Sequence, residues 1–380
     1  MKKTILLSLL ALGLFSCGDN TLKVAVIMPM ENYKLPYGMD AKNGLNLAIL
    51  DLAPENVEFE YYDTEGKPEF FLKYYEEAAK NGAELIIGPL LSKEVKIDDL
   101  VKLINKYNVP LLSPAITNDQ YLHASDKFFS VAAPNSVIAA NLAFLLSNFK
   151  DKDAGITKIQ EVVLVQNPDN PYSTDITNLE KKAFEKYGIR VVGVANFTGA
   201  RQDLIDDLGD NFPSTLKNPN TAIVLNLYVD DLNELLMDIR RKLDYKGVLA
   251  GPDSWDVVQP TREVIPGINM YIAFFFPTEN DSTKAFTKRY MDHYKKVPSS
   301  FSALAYDAII VLNEALKKSK VYTSEEITKR IKYVSTTGLT GEIDFGGDNI
   351  LEDKSVVSIL YTGKEKRFIR RTTVSGAVVE

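Results

Sequence analysis

The sequence predicts an α/β protein of two lobes, each a parallel sheet flanked by helices, joined by a hinge that the chain crosses several times. Three observations carry this. Short apolar runs ending in Gly, Pro, Ser or Asp alternate with longer amphipathic stretches, the pattern of strand–helix–strand units. At Pro134-Asn135 the alternation stops, and it then restarts as a second, similar unit. The chain does not finish there: another strand, three helices and several late strands follow, so it must return between the units. Crossovers of this kind form a hinge, and hinge closure around a ligand is a recognised motion.

Taken in order, residues 22–30 are a nearly unbroken apolar run, as expected of a strand covered on both faces. Residues 37–52 carry Leu45, Leu47, Ala48 and Leu52 at helical spacing. Val57, Phe59 and Tyr61 alternate like a half-buried strand that ends at Asp63. Pro68 opens a helix through residue 81, and residues 84–89 are a third strand closed by Gly88-Pro89. Ser92 reads as the N-cap of a helix running to residue 106. Residues 109–117 are a buried strand whose C-terminal end carries Ser113, Ala115 and Thr117, after which Asn118 and Asp119 open a helix. A strand over 128–133 completes the first unit.

The second unit reads as a helix over 137–149, strand 161–166, helix 172–187, strands 189–194 and 221–227, helix 230–243 and strand 247–251. A strand over 269–277, with Phe274, Phe275 and Phe276, leads into helices over 283–296, 301–317 and 324–331. Late strands are expected over 338–345, 356–361 and 367–373. The basic tail residues Lys364, Lys366, Arg367, Arg370 and Arg371 read as a solvated strand face.

Composition narrows the chemistry. At 380 residues the chain is too long for one compact core and comfortable for two domains. A net charge of −7 argues against a nucleic-acid partner, which needs clustered Lys and Arg. With two histidines and one cysteine, metal sites, disulfides and Cys- or His-dependent catalysis have almost no material. No Gly-rich phosphate loop and no nucleophile–base pair stands out, so no catalytic residue, metal ligand or cofactor is expected. Residues 1–17 read as a targeting segment: Lys2 and Lys3 precede a short apolar core, and the only cysteine, Cys17, falls where cleavage is expected. Leu14-Phe15-Ser16-Cys17 resembles a bacterial lipobox, which implies lipidation of Cys17 and attachment to a membrane face outside the cytoplasm.

In an open α/β sheet, ligands sit beyond the carboxyl ends of the strands, where free N–H groups suit a small anion. The end of the 109–117 strand is such a place. Along the chain occur Tyr37-Gly38 with Asn43-Gly44, Ile87-Gly88-Pro89 with Ser92, and Ser113-Pro114-Ala115-Ile116-Thr117. Tyr172, Gly251-Pro252-Asp253, Phe301 with Ala305-Tyr306-Asp307-Ala308, and residues 338–345 follow in order.

By these residues the chain resembles the type I extracytoplasmic solute-binding proteins of ABC importers, in the leucine/isoleucine/valine-binding branch. The resemblance implies two Rossmann-like lobes of the periplasmic binding protein-like I fold, residues 22–133 plus 273–347 and residues 134–272 plus 348–376. It implies an amino-acid or amide ligand whose carboxylate is held by Ser92, Ala115 and Thr117. Its ammonium would be held by Asp253 with help from Ser113 or the Ala115 carbonyl. Tyr172 and Tyr228 would close from the second lobe, and Tyr37 and Phe301 would wall the side-chain pocket. The partners implied are this ligand, an ABC permease and, through the lipid, a membrane. Leu90-Leu91 and Ser173 depart from the family pattern, the leucines narrowing the carboxylate pocket. They keep open an alternative, a lipoprotein of the same fold that binds and activates a cell-wall synthase. Trp255, the only tryptophan, is assigned equally to the cleft or to the core.

Overall fold

A computed structural model describes residues 21–31, 37–228, 231–317 and 321–374. The expected targeting segment, Cys17 included, lies outside the described residues. The first unit runs β1 (Leu22–Met28), α1 (Tyr37–Leu52), β2 (Val57–Asp63), α2 (Pro68–Lys80), β3 (Leu85–Ile87), α3 (Ile97–Tyr107), β4 (Leu111–Ser113), α4 (Asp119–His123) and β5 (Phe128–Ser130). The second runs α5 (Asn135–Ser147), β6 (Glu161–Gln166), α6 (Pro171–Lys186), β7 (Arg190–Asn196), α7 (Arg201–Asn211), α8 (Pro213–Leu216), β8 (Thr221–Asn226), α9 (Leu232–Lys242), β9 (Val248–Gly251) and β10 (Asn269–Ala273). The chain closes with α10 (Asp281–Tyr294), α11 (Ser300–Leu316), α12 (Ser324–Ile331), β11 (Ser335–Gly338), β12 (Gly341–Asp344), β13 (Val356–Tyr361) and β14 (Lys366–Thr372).

Five parallel strands form one sheet in the order β2-β1-β3-β4-β5. The other sheet is ordered β14-β13-β10-β9-β8-β6-β7. Read from β7, its parallel part repeats the topology of the first sheet strand for strand, and β13 and β14 are added antiparallel beside β10. Each sheet thus has a topological switch, between β1 and β3 and between β6 and β8. Apolar strands covered by helices explain the pattern: β1, β6 and β8 are buried along nearly their whole length.

The late helices return to the first sheet. α11 packs along α1, and the contact is close because a Cβ on Gly44 would lie 2.0 Å from the Ser302 carbonyl oxygen. The outermost strands differ in charge, β2 carrying Glu58 and Glu60 and β14 carrying Lys366, Arg367 and Arg370.

Several elements depart from expectation. Ser92 does not cap a helix. It starts a single 3-10 turn, Ser92–Glu94, after which extended Val95 breaks the path, and α3 begins at Ile97 with no side-chain cap. β10 ends at Ala273 because Phe274 leaves the sheet as a crossover, its N–H donating to Ser300 Oγ at 3.2 Å. Residues 335–344 form a separate hairpin rather than joining either large sheet. α7 and α8 have no counterpart among the expected elements; Leu204, Ile205 and Leu208 are the only buried residues in an otherwise polar α7. The basic tail is a solvated face only in part, at Lys364 and Arg367. Arg371 is buried, and Lys366 is partly buried against Asp256.

Candidate functional site

The loops that leave the carboxyl ends of β3, β4, β6 and β8 face one another across the two sheets. They enclose a cavity lined by Leu91, Ser92, Lys93, Ala115, Ile116, Thr117, Asn170, Tyr172 and Tyr228. This is where switch-point geometry places a ligand. The cavity measures about 10 Å³, enough for roughly one water molecule.

From the first sheet, Ser113 shapes the wall. Its hydroxyl donates to the Pro89 carbonyl at 2.6 Å and accepts from the N–H groups of Ala115 (3.2 Å) and Ile116 (2.9 Å). Ser113 therefore fixes the loop that presents Ala115 and Thr117. The 88–95 loop is fixed from below by Glu94, whose carboxylate accepts from Leu90 N–H at 3.1 Å. Burial pushes that carboxyl up to about 8. Of the two departing leucines, Leu90 is buried in the core and Leu91 stands on the cavity wall.

From the second sheet, Asn170 caps α6 by accepting from Tyr172 N–H at 3.0 Å, and Pro171 occupies the first helical turn. Ser173 donates to the Asn226 carbonyl at 2.5 Å and accepts from Asn167 N–H at 2.8 Å, tying the start of α6 to the end of β8. That gives this departure a structural role. Tyr172 packs against Tyr228 with tilted rings, centroids 4.9 Å apart, and donates its hydroxyl to Asp253 Oδ1 at 2.6 Å. Burial pushes the Asp253 carboxyl up to about 7, against the pull of the Tyr172 hydrogen bond towards the charged form.

Trp255 belongs to the core: it is buried, and its indole N–H donates to the Leu225 carbonyl at 2.9 Å. Gly251 makes room for it, since a Cβ there would fall 2.0 Å from the indole nitrogen.

The structure brings Ser92, Ala115, Thr117, Tyr172 and Tyr228 onto one cavity and links Asp253 to it through Tyr172. Ser113, Tyr37 and Phe301 are not on its wall; Tyr37 and Phe301 pack together with centroids 5.6 Å apart, both buried. Lys93, Ile116 and Asn170 were not singled out from sequence. The Asn170-Pro171 pair was the available signal, an N-cap followed by proline at the first helical position. The halves also touch directly: Asn118 Nδ2 donates to the Pro171 carbonyl at 3.2 Å. Asp175 Oδ2 accepts from Asp119 N–H at 3.3 Å and from Asn135 Nδ2 at 2.8 Å.

Residues 21–357 match the family model described as periplasmic binding protein. Among solved structures the chain is similar to a leucine binding protein from Thermotoga maritima, with 22% identity, TM-score 0.75, and coverage of 92% of this chain and 98% of that one. It is similar to an ABC transporter substrate-binding protein from Desulfitobacterium hafniense in complex with Leu, with 22% identity, TM-score 0.73, and coverage of 92% and 100%. A solute binding protein of an ABC transporter from Rhodopseudomonas palustris, in complex with 3,4-dihydroxybenzoic acid, matches with 14% identity, TM-score 0.76, and coverage of 93% and 98%. No curated protein matches significantly. At these identities the likenesses show the fold.

Proposed function

The chain belongs to the periplasmic binding protein family, and from that premise we propose that it captures an amino acid, branched-chain or closely related, between its lobes and delivers it to an ABC permease. Its family and its structural neighbours are solute-binding proteins of ABC transporters, so it is a binding protein and not an enzyme. The family is extracytoplasmic, and among the described residues no helix is long and apolar enough to cross a membrane. Lipidation of Cys17 would hold the protein at a membrane face.

One observation supports the amino-acid reading: hydroxyl donors line one side of a single cavity, and a tyrosine bonded to a buried acid lines the other. Ser92 and Thr117 supply hydroxyls from one side, the Ala115 and Ile116 N–H groups being held by Ser113, and the Tyr172–Asp253 pair supplies a buried acid from the other. The cavity is far below the ~300 Å³ of an ordinary ligand site, so entry requires the lobes to part and re-close. The moving bodies would be residues 22–133 with 273–347 and residues 134–272 with 348–376. Tyr37 and Phe301 would set the floor of the side-chain pocket once the lobes open. The scaffold-lipoprotein alternative gains no support from the relatives, which are described as leucine-binding or ABC transporter proteins.

Calorimetry of the delipidated protein with leucine, isoleucine and valine, beside benzoate and 3,4-dihydroxybenzoate, is the direct test. Saturable binding of at least one amino acid is expected, weakened about tenfold or more in Thr117→Ala through loss of a hydrogen bond to a charged group. Failure of every amino acid to bind at millimolar concentration, or tighter binding of the aromatic acids, would overturn the reading.

A further inference from the structure

Among the described residues an apolar recess far larger than the cleft cavity lies near the hinge. A second cavity, of about 370 Å³, lies where the 3-10 turn after β9, the crossover after β10 and the loop before α11 meet the outer strands β13 and β14. Its size is that of a small-molecule site, and its position between lobes is where such sites concentrate. Phe275, Phe276, Pro260, Pro298 and Ile359 supply an apolar lining. Phe276 is extended outward by Phe368, 5.6 Å away.

The polar equipment of this recess is small and charge-balanced. Lys366 Nζ donates to the Asp256 carbonyl at 2.7 Å and to Asp256 Oδ1 at 3.1 Å, which leaves one N–H of the ammonium for another acceptor. Asp256 is already served: Tyr271 hydroxyl donates to Oδ1 at 2.9 Å and Ser300 N–H to Oδ2 at 2.9 Å. Burial would push its carboxyl up, but Lys366 and Ser300 hold it below the usual range. A second acid, Asp40, sits behind the wall and accepts from Ser299 Oγ at 2.8 Å.

An anionic ligand would meet these two carboxylates. A cationic one would displace or repel Lys366. A neutral acceptor such as a carbonyl fits the remaining ammonium N–H, with the Gln259 amide and the Thr278 hydroxyl also on the lining.

We propose that this hinge recess is a second ligand site, separate from the interlobe cleft, for a small uncharged aromatic molecule bearing a carbonyl or amide acceptor. The ring lies between the phenylalanines and the prolines, and the acceptor meets Lys366. Because the lining comes from β13 and β14 of the second sheet, from the crossover after β10 and from the loop before α11, and because Ser300 at the start of α11 donates to Asp256, an occupant bears on how far the lobes can rotate.

The test is a ligand-observed NMR titration of the full chain with benzamide, with benzoate and benzylamine as comparators that keep the ring and change the charge. Saturable benzamide binding is expected with a Kd of about 1 mM, the range for a fragment of that size. Binding should persist unchanged in Asp253→Ala, which separates this site from the cleft. It should weaken at least tenfold in a Gln259→Tyr/Thr278→Tyr double variant, whose exposed side chains narrow the mouth without touching the core. Lys366→Met should erase the preference for benzamide over the charged analogues. Equal or tighter binding of benzoate or benzylamine to the unmodified chain would overturn the ligand class. Benzamide binding indifferent to the mouth variant, or no saturable binding, would overturn the site.

Discussion

Replacing Asp253 with alanine is expected to abolish amino-acid binding while leaving the unfolding of the ligand-free chain almost unchanged. The first half follows from charge. Removing one member of a buried, hydrogen-bonded charge pair costs about 2–5 kcal/mol, a loss of affinity between about 30-fold and a few thousandfold. The second half follows from the environment. The acid is buried beside the Tyr172 hydroxyl, local N–H groups and the like charge of Asp256, and burial first of all pushes its carboxyl up to about 7.

A carboxyl raised in the fold adds stability that is complete below its ordinary value of 3.8 and is lost as pH climbs through about 7. At neutral pH and above, the alanine variant is relieved of that cost, which offsets the acceptor Tyr172 loses. Binding runs the other way. An ammonium ligand favours the charged acid, so affinity should rise with pH through about 7 with proton release, and this dependence should flatten in Asp253→Asn. Calorimetry in buffers of different ionisation enthalpy reads both. A wild-type affinity in Asp253→Ala would remove this residue from the site.

The second large effect concerns the hinge. Arg371→Ala should lower stability by about 3–5 kcal/mol, the usual result of breaking a buried ion pair and leaving its partner unmatched. Arg371 Nε and Nη2 donate to the two Glu279 carboxylate oxygens at 2.6 and 2.7 Å, a bidentate pair in which both side chains are almost fully enclosed. The remaining donors reach the carbonyls of Thr340 (2.9 Å) and Phe274 (3.0 Å) and the Ser355 hydroxyl (3.2 Å). One side chain therefore fastens β14 to the crossover after β10 and to the turn of the β11–β12 hairpin. Arg371→Lys should rescue little, because an ammonium lacks the planar fork. Denaturant unfolding measures the difference; a loss under about 1 kcal/mol would place the pair with ordinary exposed ones.

Much of the architecture was legible because it rests on local pattern. α1 and α12, and strands β2, β6 and β13, have the bounds their apolar spacing and closing residues predict, and Asn118 opens a helix as its type suggests. What escaped was decided at long range. Alternation on β14 says nothing about the crossover and hairpin that fold back over Arg371. Ser92 has the chemistry of a cap, but the turn over residues 92–94 is held by Glu94 reaching back to Leu90, a contact invisible in the spacing. Lys93 and Asn170 reach the cavity only because two loops from different sheets meet there. For Tyr37 and Phe301 the aromatic pair is present, but it lies behind the wall of the closed cavity.

The opposite charges of β2 and β14 bear on solubility. Among the described residues both strands are outermost in their sheets and pair on one side only, the usual template for strand-by-strand aggregation. Two copies meeting through the same edge would set glutamate against glutamate or arginine against arginine. Unlike edges attract only weakly across water, and physiological salt screens such charges within about 8 Å. Copies of the chain can therefore keep these two sheet edges open and still gain nothing by stacking on one another.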